Sequence, residues 1–258
     1  MVSRFALRVE YEGTAYAGSQ LQKTEPTIQG KLESALRQLT NQDLRVDLAG
    51  RTDAGVHAVG QVAAFSSELD RDGRWWLGAL NGVLPRDIAV ASVVAVPFEF
   101  DPRRDAKRRW YRYSVISRPS RPALARLRAW HVPAPLDLEA MRTGASQLAG
   151  RHDFASFCGA LDPGRTTIRT IFSSCLSRSY ETLRYDVVGD AFLPQQIRRM
   201  VGALVRIGEG KMSLPEFTAT LEKAEHGSSN HVAPPHGLCL MNVEYEGLDL
   251  GVRNYEDV

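Results

Sequence analysis

The first candidates for chemistry lie in GRTDAGVHAVGQVAAF, from Gly50 to Phe65, which opens with Arg51, Asp53, two glycines and His57. Gly50 and Gly55 open backbone conformations closed to other residues, and Asp53–Ala54–Gly55 is good turn chemistry. Two readings stand side by side. In one, an Arg51–Asp53 pair or an Asx-turn ties off a hairpin loop. In the other, Asp53 is a carboxylate presented at a strand end, with flanking glycines that let a substrate approach closely. The second use requires an ionised carboxylate, which a neighbouring cation would maintain.

Arg198, in GDAFLPQQIRRMVGALVRIGEG, is the candidate cation. At about 100° per residue, Leu193, Ile197, Met200, Val201 and Leu204 form one apolar helix stripe. Arg199 and Arg206 project the opposite way, to solvent. Arg198 falls on the stripe's flank, where it either reaches into a cleft between helix and sheet or snorkels past the core. On RRWYRYSVI, Tyr111, Tyr113 and Val115 share one strand face, and Trp110, Arg112 and Ser114 the other. A tyrosine there can stack on a nucleobase, or lie in the core with its hydroxyl hydrogen-bonded. His226, His231 and His236 repeat every five residues, a spacing that suits neither one helix face nor one strand face and argues against a metal cluster. Their loop, HGSSNHVAPPHG, is expected to be solvated, with the lining of a pocket as the alternative. No GxGxxG, P-loop or HExxH occurs, so nucleotide-cofactor and zinc-hydrolase readings lack support.

The elements around these residues form an ordinary globular chain. Its 258 residues are 43% hydrophobic and 24% charged, with a net charge of +2. The charge is unevenly distributed. From Arg103 to Arg128, ten cations face the single acid Asp105, with Trp110, Tyr111 and Tyr113 interleaved. That mixture suits a surface that tracks phosphates and stacks bases, or a strand edge guarded by charge. The preference for arginine favours nucleic acid, since guanidinium fits phosphate bidentately. Three scattered cysteines without a CxxC pair fit reduced thiols. The apolar stretch from Ala89 to Val96 is too short to span a bilayer. The N-terminus alternates like a strand and lacks a signal core, so a cytoplasmic protein with no membrane partner is expected.

Strands are predicted over Phe5–Glu10, Leu44–Leu48, Val59–Phe65, Ile88–Val96 (buried), Arg109–Ile116, Thr170–Leu176, Leu183–Val188 and Leu238–Tyr245. Helices are predicted over Thr27–Leu39, with Thr27 as N-cap, and over Arg74–Asn81, Asp137–Ala149 and Phe192–Ile207, with a shorter one from Pro215. The mixture implies an α+β fold, two halves built on a largely antiparallel sheet. The seam is placed near residues 97–107, giving halves of 1–102 and 103–258.

Taken together, YEGTAYAGSQLQ, TIQGKLESAL, GRTDAGVHA, GQVAAF, LNGVLPRDIAV, FDPRRDAKRRWYRY, GRHDFASF, TIRTI, FLPQQIRRMVGAL and APPHGL resemble, in order and nearly end to end, the bacterial tRNA pseudouridine synthase A family. The resemblance implies two fused ferredoxin-like α+β halves around a central, mostly antiparallel sheet, with an active-site cleft between them. It implies a homodimer that binds tRNA and isomerises uridine to pseudouridine at positions 38, 39 and 40 of the anticodon stem-loop. No cofactor or metal is implied, and no DNA. On the matching positions Asp53 is the catalytic carboxylate, Arg198 its cationic partner, Tyr111 the ring that stacks on the target base, and Arg51 an RNA or loop-ordering contact. Three departures stand out. Ser19 occupies a position where the family commonly has tryptophan, so the early loop is expected to meet RNA differently. Pro102, where alanine is usual, stiffens the chain before the basic strand, and PQQIRR is more polar than the family's usual stretch before the cleft arginine, with Pro194 expected in the helix's first turn. A non-catalytic tRNA-binding or RNA-folding module, and a synthase acting on other uridines, are the alternatives.

Overall fold

The computed structural model describes residues 2–162 and 164–251. In chain order the elements are β1 (Ser3–Tyr11), α1 (Ile28–Thr40), β2 (Asp47–Leu48), β3 (His57–Ser67), α2 (Gly73–Val83), β4 (Ile88–Val96), β5 (Arg108–Ser117), β6 (Trp130–Val132), α3 (Leu138–Gln147), β7 (Gly150–Asp153), β8 (Ile168–Ser179), β9 (Thr182–Gly189), α4 (Gln196–Gly208), α5 (Leu214–Lys223) and β10 (Leu238–Glu244). They fall into two compact units. One runs to Arg109 and takes in the chain from Cys239 onward; the other is Trp110–Leu238.

In the first unit the strand order is β4-β1-β3-β10. β1 is antiparallel to both β3 and β4, and β2 is antiparallel to β3. β10 joins β3 in parallel, with Cys239 opposite His57 and Leu240 opposite Ala58. Gly60 makes that approach possible, since a Cβ there would meet the Met241 carbonyl oxygen at 2.3 Å. Alternation buries Phe5, Leu7, Val9 and Tyr11 of β1. Phe5, Phe65 and Trp76 then cluster with ring centroids 4.9–5.9 Å apart. α1 starts as its sequence dictates: Thr27 Oγ1 accepts the Gly30 N–H at 3.1 Å, and Ile28, Leu32, Ala35 and Leu36 form the buried face.

Two expectations need correction here. The strand predicted from Leu44 shrinks to Asp47–Leu48, because α1 side chains take the backbone groups of Val46. Its N–H donates to Glu33 Oε1 at 3.2 Å, and its carbonyl accepts from Gln29 Nε2 at 3.1 Å. The strand Ile88–Val96 is present, but only Ile88 and Val90 are buried, since β4 ends this unit's strand order and leaves one side uncovered.

In the second unit the order is β5-β9-β8-β7, with β6 parallel to β5 and Trp130 opposite Val115. β8 is antiparallel to β9 and to β7. α4 is buried almost all round; only Arg198, Arg199 and Arg206 interrupt the burial. A Cβ at Gly202 would meet the His231 carbonyl oxygen at 2.0 Å, so the 226–236 loop lies directly on this helix.

α4 begins at Gln196 rather than Phe192. Gln195 takes a left-handed φ of 59°, and the Leu193 N–H donates to Gln196 Oε1 at 2.8 Å. Together they close a turn that leaves Pro194 outside the helix. β6 and β7, three and four residues long, are too short for alternation to reveal.

Candidate active site

The loop carrying Asp53 is held by buried polar groups from three directions. The Ser19 N–H donates to the Thr52 carbonyl at 3.1 Å, and Ser19 Oγ accepts the Thr52 N–H at 2.8 Å. The Ser19 carbonyl in turn accepts the Gln29 N–H of α1 at 2.9 Å. From β1, the Tyr11 hydroxyl is 2.8 Å from Thr52 Oγ1. From β3, Gln61 Nε2 donates to the Gly50 carbonyl at 2.9 Å. Ser19 and Gln61 are fully buried, and Tyr11 and Thr52 nearly so. Burial pushes the Tyr11 hydroxyl up to about 12, against the lowering effect of its hydrogen bonds with Thr52 and Gln61. The phenol therefore stays neutral as a fixed member of the network.

Beyond Thr52 the chain turns sharply. The Val56 N–H donates to the Asp53 carbonyl at 3.1 Å, and Gly55 has φ 79°. Gly18 crosses beneath with φ 104°, and a Cβ there would sit 2.8 Å from the Thr52 carbonyl oxygen. His57 Nδ1 accepts the Gly13 N–H at 3.0 Å, so this histidine, 3% exposed, anchors the start of β3. Asp53 is half-buried and Arg51 exposed. GRTDAG thus contains a backbone turn, closed from the Val56 N–H to the Asp53 carbonyl, and the turn places the aspartate between fixed residues.

Tyr11 and Gln61 escaped the sequence reading, as did the clamping role of Ser19. Tyr11 looks like any strand residue, and a polar glutamine inside an apolar strand was the one available signal. Ser19, which stands where the family commonly has tryptophan, is fully buried and clamps the loop through Thr52. Ser19→Ala leaves the Thr52 N–H buried without its acceptor, an expected cost of about 1–3 kcal/mol in urea unfolding. An unchanged midpoint removes Ser19 from this role.

Tyr111 and Arg198 belong to the second unit. Tyr111 is 6% exposed and meets Phe192 edge-on, with centroids 5.3 Å apart at 84°. Arg198 is clasped by the 226–236 loop. Its Nε donates to the Ala233 carbonyl at 2.8 Å, and the Ala233 N–H donates to the Arg198 carbonyl at 3.0 Å. This reciprocal pair sets the direction of the guanidinium. Tyr113 is core: its hydroxyl donates to the Pro234 carbonyl at 2.8 Å, and its ring fits against Gly237. Burial drives its pKa well up, with the Arg198 charge opposing.

The basic stretch is not one continuous phosphate-tracking surface. Arg112 pairs with Asp186 Oδ1 at 2.9 Å, the oxygen that also accepts Trp110 Nε1 at 2.7 Å. Arg109 is buried and donates to the Arg103 carbonyl at 2.7 Å, and Arg118 pairs with Glu181 at 2.7 Å. Arg121, Arg126 and Arg128 are exposed, with no ion pair among the described residues. Arg199, expected in solvent, instead donates to the Ser229 carbonyl at 2.6 Å and to Gln195 Oε1 at 3.1 Å, tying the 226–236 loop to the start of α4. His226 and His231 are exposed, whereas His236 is half-buried. Among the described residues no three His, Cys, Asp or Glu side chains converge as a metal site, and no helix is long and apolar enough to cross a membrane.

A family model described as tRNA pseudouridine synthase matches residues 7–103 and 145–246. The chain belongs to this family. The matched segments of the synthase family contain Arg51, Asp53 and Arg198; Tyr111 lies in the interval between them. Among relatives named tRNA pseudouridine synthase A, that of Geotalea daltonii is 41% identical over 239 residues, covering 93% of this chain and 98% of its own. That of Myxococcus xanthus is 42% identical over 243 residues, covering 94% and 92%. That of Moorella thermoacetica is 40% identical over 241 residues, covering 93% and 98%. A solved dye-decolorizing protein from V. cholerae aligns at 9% identity and a TM-score of 0.21 over 84% of this chain and 88% of its own, too low to bear on the fold.

Proposed function

We propose that this synthase-family protein isomerises uridine to pseudouridine in tRNA, at positions 38, 39 and 40 of the anticodon stem-loop. The supporting observation is the loop Gly50–Gly55, whose backbone is fixed through Thr52 by Ser19 and Tyr11 while Asp53 stays half-exposed. A residue held this way can carry chemistry, because little reorganisation remains to be made when substrate arrives.

The reaction breaks the bond from ribose C1′ to uracil N1 and forms one from C1′ to C5. The C5 proton is lost and N1 gains one, so the product is an isomer and no electrons are exchanged. The target nucleotide must leave its stack to be reached. Asp53 is the reacting carboxylate on this reading. Attack on the sugar, attack on the base and removal of a ribose proton all use the same ionised group. Arg198 supplies positive charge to the reacting groups, Tyr111 packs against the extruded base, and Arg51 contacts RNA beside it. The same reading takes the units as ferredoxin-like halves and the working species as a cytoplasmic homodimer.

Nucleoside mapping of a tRNA transcript incubated with the protein at defined salt tests the proposal. Pseudouridine is expected at positions 38–40. Salt-sensitive tRNA binding with an unchanged nucleoside profile would instead make the protein a binding module. Pseudouridine confined to other positions would reassign the substrate site.

A further inference from the structure

A cleft of about 500 Å³ opens in the second unit, lined in part by Arg121, Pro122, Arg126, Trp130, His131 and His236. That volume lies within the range of small-ligand clefts, about 300–1,000 Å³. No carboxylate lines it. Arg121 and Arg126 are exposed, and neither has an ion pair among the described residues. The two imidazoles are oriented by the backbone: His131 Nε2 lies 2.8 Å from the Arg118 carbonyl, and His236 Nε2 lies 3.1 Å from the Ala129 carbonyl. A carbonyl only accepts, so each Nε2 carries the hydrogen and each Nδ1 is left as the ring atom for a further partner. Trp130 is fixed on β6 beside β5, its indole edge-on to Tyr113 with centroids 6.4 Å apart. Most of these residues fall between the two segments that the family model matches.

A planar indole, two exposed guanidinium groups and imidazole nitrogens in one concave site match the parts of a nucleotide. Aromatic faces stack on bases, and arginines pair with phosphate oxygens. A bare phosphate would leave the apolar floor of Pro122 and Trp130 unused. We propose that this cleft holds one nucleotide of the bound tRNA other than the uridine being isomerised, its base against Trp130 and its flanking phosphate on Arg121 and Arg126. The inference rests on tRNA being the substrate. It gives the protein a second grip on the RNA, through a single-stranded or extruded nucleotide.

The test is equilibrium binding of a labelled tRNA transcript by the full chain across a salt series, a readout that needs no turnover. The double variant Arg121→Ala/Arg126→Ala is expected to weaken binding several-fold and to reduce the salt slope by about 1–2. Trp130→Leu is expected to weaken binding about 5- to 100-fold with an unchanged slope, and Trp130→Phe to restore most of it. Unchanged affinity in the arginine and tryptophan variants overturns the proposal. It is equally overturned if Trp130→Leu dissociates the protein in sedimentation while affinity per protomer holds, since the occupant would then be a second copy of this chain. If Trp130→Leu fails to fold, the arginine double variant and Trp130→Phe decide: a reduced salt slope in the former supports the site and an unchanged slope overturns it. Wild-type protein that binds tRNA but makes no pseudouridine defeats the proposed activity, while the cleft is still judged from affinity.

Discussion

Asp53→Asn is expected to lower pseudouridine formation by at least about 10³-fold, the scale at which a reacting carboxylate is removed from an enzyme, with tRNA affinity preserved. The amide matches the carboxylate in size, so it fits the same turn. Contacts made by neighbours hold this turn. Thr52 is bound by Ser19 and Tyr11, the Gly50 carbonyl by Gln61, and the Val56 N–H bonds the backbone carbonyl of residue 53 rather than its side chain. The loop therefore survives, while the charge and basicity that all three chemical routes require are gone. Asp53→Glu separates charge from placement. It keeps the carboxylate but extends it by one methylene, a displacement of about 1 Å that costs about 10²-fold when geometry controls the rate. Single-turnover assays with tRNA in excess over its dissociation constant, alongside binding of the same tRNA, read both outcomes. Full activity in the Asn variant would release Asp53 from the assignment.

How far such a site is legible in sequence depends on the range of the forces that build it. Periodicity and capping act within a few residues, and α1 with Thr27, β3 and α5 follow them closely. The buried clamp on the loop does not: Tyr11 and Ser19 lie 41 and 33 residues from Thr52, and Gln61 lies 11 residues from Gly50, and nothing local to GRTDAG marks them. The same limit misplaced Arg199. Helical angle puts it opposite the stripe, but the 226–236 loop folds over that side and its carbonyls claim the guanidinium. Composition misled in a similar way between Arg103 and Arg128. Counting cations suggests one RNA surface, whereas Asp186 and Glu181 neutralise two of them from other strands or turns and backbone carbonyls bury a third. Arg103, Arg121, Arg126 and Arg128 remain exposed with no ion pair among the described residues.

Arg198→Met is expected to lower turnover by about 10²–10³-fold, the usual effect of deleting one electrostatic partner at a reacting centre, with a much smaller change in tRNA affinity. Two functions of this side chain have to be distinguished. On the proposed reading its charge acts on the reacting groups, while its Nε–H holds the Ala233 carbonyl at 2.8 Å, where the Ala233 N–H already returns a bond to the helix. Methionine fills the volume of the stem but removes both. Arg198→Lys keeps the charge and lacks the Nε–H and the planar fork, so it tests the clasp alone. If charge dominates, Lys recovers much of the rate that Met loses, and urea unfolding moves by similar amounts in both variants because each leaves the Ala233 carbonyl without its donor. If the clasp dominates, Lys is as impaired as Met. A third outcome, lowered tRNA affinity with unchanged turnover per bound RNA, makes Arg198 an RNA contact rather than the partner of Asp53. Measuring kcat and KM for the three proteins against one transcript, with binding at the same salt, separates the three cases, because charge and hydrogen-bond geometry change independently across the set.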